Sequence, residues 1–283
     1  MVTNRRAIVV FLDSNDEQIM MIKMMIKSIE LSNLINTDLI VFHNPKITEF
    51  KNRYLNNCYV QFIEEHPISY NEPFLNYHYI NSISCMYNTF LSNYDYILKT
   101  DVDTLFTPKL NDFYPEKFTC GVGGYNNDVD TEMKLQMVGN HFGINKKKNY
   151  IKNLGSSWYG TSTEIIKIAK LTQEITEYLL NHEFKNSEGS WPGYYRGVST
   201  MYASEIAINH FINDINIDNG NLDFPSTSNL LTSDHVHIHC WHTDQNFSKF
   251  KLFNKGYLDI KTQELNITKI SDYCLFCAIT GNQ

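Results

Sequence analysis

The chain has 283 residues, 42% of them hydrophobic and 19% charged, with only 13 Gly and 7 Pro. That is enough apolar material for a large core, and it argues against overall disorder. Lys and Arg number 24 against 31 Asp and Glu, a net charge of −7 that excludes a broad basic surface for nucleic acid. No run reaches the ~18 apolar residues of a transmembrane helix.

Taken in chain order, Arg6–Asp13 (RAIVVFLD) reads as a first buried strand. Its apolar run is too short for a signal peptide and lacks a small-residue cleavage site. Asn15–Glu30 carries Ile19, Ile22, Met25, Ile26 and Ile29 at helical spacing. Thr37–His43 and Tyr59–Glu64 read as strands, separated by a polar segment of helical character, Pro45–Leu55. Asn76–Leu91 places Tyr79, Ile80, Ile83, Met86, Tyr87 and Phe90 on one helical face, and Tyr94–Leu105 is a fourth strand running into a polar turn. Strand and helix alternate, so the spacing predicts βα units around a mostly parallel sheet.

Further on, Phe118–Val122 reads as a strand and Gly160–Asn181 as a long helix opening on Thr161, Ser162 and Thr163. Gly189–Gly197 reads as an aromatic loop, Ser199–Asn213 as a helix and His235–His242 as an alternating strand; the tail from Tyr257 has no strong pattern. With no repeat and no linker, one domain over 1–283 is expected: a nucleotide-type half to about 110, a substrate-shaping half to about 255, and a tail over 256–283. The six Cys are scattered and Cys274–Cys277 is the one CxxC, so reduced thiols in a cytosol are expected. The sequons at Asn246 and Asn266 then read as chance matches. Gly121–Gly124 lacks the spacing of a dinucleotide fingerprint, and Lys146–Lys148 reads as a solvated loop.

Four segments carry chemistry. In YILKTDVDT, Asp101 and Asp103 end a buried strand, where ligands gather in open α/β sheets. If the strand continues, alternation puts both carboxylates on one face, a hard-oxygen pair suited to Mg²⁺ or Mn²⁺; otherwise they form a solvated acidic turn. Four of the ten His lie within His235–His242, and imidazole suits Mn²⁺ better than Mg²⁺. Alternation puts His235, His237 and His239 on one face, with His242 beyond it; all four can equally be core or surface residues. Glu205 sits near the start of an apolar helix, where it can also simply stabilise the terminus. LGSSWYGT offers Trp158, Tyr159 and Gly160 as a flat wall on which a sugar can stack, or as core aromatics at a strand-to-helix turn.

The DxD after a strand at this depth resembles the GT-A class of nucleotide-sugar-dependent glycosyltransferases. The order YDYILKTDVDTLFTP, GSSWYGTSTEI, YASEIAINH and HIHCWHT also resembles a GT-A-like group of large DNA viruses and some eukaryotic microbes, over roughly residues 5–250. The resemblance implies a GT-A-like α/β domain with a Rossmann-type, mostly parallel sheet flanked by helices. It implies Mn²⁺ or Mg²⁺ at Asp101 and Asp103, completed by a late His. His242 fits that spacing, with His239 its rival. Nucleotide contacts are implied at Leu12, Asp13, Val102 and Lys249, the last on phosphate. Glu205 is implied as a general base, and Trp158, Tyr159, Gly160, Trp191 and Arg196 as the sugar and acceptor wall. The partners implied are a nucleotide-sugar donor, with UDP the commonest nucleotide for such enzymes, and a hydroxyl acceptor, in the host cytoplasm if the protein is viral. ILKTDVDTL also resembles a haloacid-dehalogenase-type phosphatase motif, although three strands precede it and Leu105 stands where Thr or Val is usual. A non-catalytic sugar- or nucleotide-binding module is the remaining alternative.

Overall fold

A computed structural model describes residues 4–240, 247–257 and 259–283. In β1 (Arg6–Leu12) every residue is buried. Ala7, Val9 and Phe11 enter one apolar layer and Ile8, Val10 and Leu12 the other, the pattern of a central strand covered on both faces. Helix α1 (Asp16–Ser32) starts where the Asn15 side chain accepts from the Gln18 N–H, with Asp16 and Glu17 in its first turn. It ends at Asn33, whose φ of 45° is left-handed.

Strand β2 (Thr37–His43) follows, then an edge strand β3 (Arg53–Leu55) and β4 (Cys58–Glu64). The polar helical segment expected over Pro45–Leu55 is not formed. Its end is β3, paired antiparallel to β4, with Tyr54 tilted against Tyr59 across the pair at 4.8 Å. Nor is Asn76–Leu91 one helix: it is a chain of single turns around α2 (Asn81–Ser84). Asn88 is extended, and its side chain accepts from the Phe90 N–H. Asparagine side chains compete with the helical backbone in this way, and here they break a segment whose apolar spacing is otherwise helical.

The fourth predicted strand divides into β5 (Tyr96–Lys99) and β6 (Thr104–Phe106), which belong to different sheets. The second half comprises β7 (Thr119–Val122), α3 (Val129–His141), β8 (Leu154–Thr161), α4 (Ser162–Tyr178), α5 (Ser199–Phe211), β9 (Asn216–Ile217), β10 (Phe224–Pro225), β11 (His237–His239), α6 (Lys249–Phe253) and α7 (Ile270–Gly281). Gly160 belongs to β8 rather than opening a helix, because Thr161 and Glu164 form a reciprocal capping box that sets the start of α4.

The large sheet has the order β3-β4-β2-β1-β5-β8-β7-β9, parallel from β4 through β5 and antiparallel on both sides of β8. The expected α/β architecture is therefore present, as a mixed, largely parallel sheet flanked by helices. The small sheet, β10-β11-β6, joins α1 and α7 on one face of the large one. Helices α4 and α5 and the turns around α2 cover the other. No helix among the described residues is long and apolar enough to cross a membrane.

Two polar clusters tie these layers. Arg6 is fully buried, with no carboxylate partner among the described residues. Its guanidinium donates to Thr37 Oγ1, the Phe113 carbonyl and the Tyr159 hydroxyl, and lies 4.7 Å over the Tyr114 ring. At the α1–α7 junction, Ser32 Oγ and the Tyr273 hydroxyl both donate to the Phe106 carbonyl, at 2.8 and 2.6 Å. Tyr273→Phe removes one of these buried bonds and is expected to cost about 1–2 kcal/mol. Urea unfolding monitored by circular dichroism measures it, and an unchanged midpoint would show that the phenol is not holding α7 to β6.

Candidate functional site

The site is built where the chain changes sheets. β5 ends at Lys99, beside β1, and a turn over Thr100–Asp103 delivers the chain to β6 in the small sheet. Thr104 Oγ1 donates to the Asp101 carbonyl across that turn. Asp101 and Asp103 therefore converge through a turn, not through the strand alternation expected for them. β11 runs antiparallel to β6 with His239 opposite Thr104, and the Cys240 N–H bonds the Asp103 carbonyl at 2.9 Å. This register brings the His239 ring to the two aspartates. Nε2 lies 3.3 Å from Asp103 Oδ1 and 3.9 Å from Asp101 Oδ2. One ligand atom from each of the three residues lies within 4.8 Å of the others, a set able to hold a metal ion. His242 lies outside the described residues.

The charges here are strongly interdependent. Burial opposes ionisation of Asp103, but His239 and Lys249 overcome it and hold the carboxyl well below its ordinary range. Lys249 Nζ donates to Asp103 Oδ2 at 2.6 Å. Burial also disfavours a charged His239, yet Asp103 and Asp223 raise its pKa well above the usual value. His237 does not join the metal set. It is fully buried, burial lowers its pKa to about 4, and its Nε2 pairs with Thr100 Oγ1 at 2.9 Å. His235 turns away as well, stacked on Phe224 with Nδ1 on the Gly220 carbonyl.

Two clefts meet at this point, sharing Asp101, His239, Tyr79 and Ser82. One, of about 830 Å³, is lined by Phe11, Asp13, Gln18, Val102, Asp103, Lys249, Phe250 and others. The second, of about 430 Å³, is lined by Lys99, Tyr125, Ser156, Trp158, Trp191, Met201, Asp223 and their neighbours. Asp13, Val102 and Lys249 thus face the first, and Trp158 and Trp191 the second. Burial raises the Asp13 pKa above its ordinary value, against His78 and the Asn81 amide.

The other expected site residues fall elsewhere. Leu12 points into the core beside α1; its neighbour Phe11 reaches the cleft. Tyr159 is on the opposite face of β8 from Trp158, bonded to Arg6, because strand neighbours alternate. Gly160 packs against Phe118, whose ring an added Cβ would meet at 2.7 Å. Arg196 sits over Tyr77 and near Glu188, while Gly197 and Val198 take the cleft wall. Glu205 is completely buried. Its Oε1 accepts from Asn126 Nδ2 and the Tyr150 hydroxyl, at 2.7 and 3.0 Å, and its Oε2 from the Asn153 N–H at 2.7 Å. Both oxygens are engaged in tying α5 to the segments before α3 and β8, which is not the position of a general base. Lys99 and Asp223 are the additions that sequence reasoning missed. Buried Lys99 donates to the Ser156 carbonyl at 3.0 Å and lies 3.7 Å from Asp101 and 5.1 Å from the Trp158 ring. The sole hint of Lys99 was its position two residues before the first Asp of the pair.

The fold and site together define an α/β protein with a candidate metal centre in a cleft at the ends of its central strands. The chain belongs to DUF7164, a domain of unknown function, whose family profile matches residues 2–278. No curated protein matches it.

Asp101→Asn and Asp103→Asn are each expected to lower Mn²⁺ affinity at least ~10-fold with the fold intact, since each removes a charged oxygen ligand. Titration of Mn²⁺ by electron paramagnetic resonance, with thermal unfolding as control, checks both. Glu205→Gln should act differently. Its amide would face the Asn153 N–H donor to donor, costing about 2–3 kcal/mol of stability. Mn²⁺ affinity should be unaltered, and a stable Glu205→Gln variant would contradict the structural role.

Proposed function

We propose that the protein is a metal-dependent glycosyltransferase of GT-A type. It would transfer a sugar from a nucleoside-diphosphate sugar, with UDP as the first nucleotide to test, to a hydroxyl acceptor. The observation that carries this reading is the position of Asp101, Asp103 and His239 at the junction of two clefts of different character. A donor bridging that junction has its nucleotide in one cleft, its diphosphate at the acidic pair and its sugar in the other.

The donor set fits Mn²⁺, having two carboxylate oxygens and one imidazole nitrogen. Mg²⁺, a harder ion, is the alternative. A bound divalent ion would neutralise charge on the diphosphate as it departs. Lys249, beside Asp103, adds a second positive charge on the same side. Asp13 and Phe11 line the cleft that would take the nucleotide, and half-exposed Phe250 in the same lining offers a stacking surface for a base. Trp158 and the exposed Trp191 give the sugar and acceptor cleft its flat apolar walls, and Lys99 supplies a donor close to Asp101. Glu205 has no part in this chemistry.

Thermal unfolding with a panel of nucleotide sugars, with and without Mn²⁺, tests the reading. A ligand at 100 times its Kd adds about 2.7 kcal/mol to the folded state. A nucleotide sugar is expected to stabilise the protein only when Mn²⁺ is present. Stabilisation by no nucleotide sugar would sink the proposal; release of phosphate from phosphomonoesters would favour the phosphatase alternative, and binding of a nucleotide sugar with neither transfer nor hydrolysis would favour the binding module.

A further inference from the structure

Asp223 lies between β9 and β10, far in sequence from the DxD, and is almost completely buried. Its backbone is left-handed, with φ at 55°, a conformation that Asp tolerates better than most residues. Its N–H donates to His237 Nδ1 at 3.0 Å. Its carboxylate oxygen Oδ1 accepts from Ser157 Oγ at 2.6 Å and from the Nδ1–H of His239 at 2.9 Å. The other oxygen has no hydrogen-bond partner among the described residues. It rests on two glycines: a Cβ at Gly121 would stand 1.9 Å from Oδ2, and one at Gly155 would stand 2.7 Å from it. Burying a carboxylate is costly, and here two positions without a side chain leave room for it.

We propose that Asp223 is the positioning residue that makes His239 a metal ligand. The inference rests on the metal reading above. A carboxylate on Nδ1–H fixes the imidazole proton on that nitrogen and directs the Nε2 lone pair at the ion. Nε2 is the atom that faces Asp103 and Asp101. The bond also locks the ring angle, because Oδ1 is held from the other side by Ser157 on β8. His239 is thereby referenced to the large sheet, although it is carried by the small one. An imidazole held only by the short strand β11 would have no such reference. The two remaining ligands come from the turn after β5, so Asp223 brings the histidine into register with them.

The test uses the full chain with Mn²⁺ alone as the probe. Wild type, Asp223→Asn and Ser157→Ala are titrated by electron paramagnetic resonance. The imidazole nitrogen bound to the ion is read from its nuclear modulation in pulsed measurements. Asp223→Asn keeps the side-chain volume and is expected to weaken Mn²⁺ by roughly 10- to 100-fold, with loss or marked reduction of the nitrogen signal. Ser157→Ala, which loosens the same carboxylate by removing one hydroxyl, should give a smaller loss in the same direction. It decides the matter if Asp223→Asn does not fold. Folded variants that keep both wild-type affinity and nitrogen coupling would overturn the inference and leave Asp223 a structural residue, with the metal reading intact. A wild-type protein that binds no Mn²⁺ would overturn the metal reading, and this inference with it.

Discussion

Between Lys99 and Thr104 the chain leaves the large sheet for the small one, where β6 pairs antiparallel with β11, and the arrangement of the site depends on that crossing. A strand that simply continued would carry Asp101 and Asp103 away from β11. Because the backbone turns, the two carboxylates are set down at the open end of the central strands, where β6 meets β11. The same turn creates a problem of its own, since it exposes backbone and hydroxyl groups inside the protein. Their partners form a polar ring, in which Asp223 Oδ2 alone lacks a hydrogen bond among the described residues. Thr100 Oγ1 meets His237, Ser157 and Thr104, while Ser157 and both histidines meet Asp223.

In a low-dielectric interior a satisfied network is stiff and specific, whereas one missing partner leaves an unpaired group at a cost of a few kcal/mol. The ring spans three sequence regions: residues 100–104, residue 157 and residues 223–239. None of them can shift without disturbing the others. The metal set and the second cleft both draw on this stiff element, which gives His239 to each of them and Asp223 to the cleft. Relative placement of the two clefts is therefore a property of the core, and loops such as that bearing Trp191 can vary around it.

The strands β1, β2, β4 and β5 were legible because β-branched runs of seven residues or fewer between polar breaks have few other uses. The acidic pair was legible from its place after such a run. What could not be read was anything that depends on partners distant in sequence. Tyr159 and Trp158 look alike as neighbours, and only the pairing of β8 with β5 decides which faces the cleft. Glu205 looked available at the head of an apolar helix, but three donors from other segments enclose it. Asp223 gave no signal, since an Asp before Phe-Pro reads as an ordinary turn residue. Helix α7 was missed because it is apolar on nearly every side, which erases the periodicity that identifies a surface helix.

That last helix has a consequence for how the protein is made. α7 packs along α1, so the helix nearest the start of the chain is covered by residues 270–281. Contacts this remote in sequence slow folding, because the intervening chain must be ordered before they reward it. While the protein is still emerging from the ribosome, Met24, Ser28 and Ser32, which α7 meets, lack their final cover. The nascent chain must then carry an unfinished apolar surface until synthesis has passed residue 281. Sensitivity to late premature stops follows from where that one helix sits.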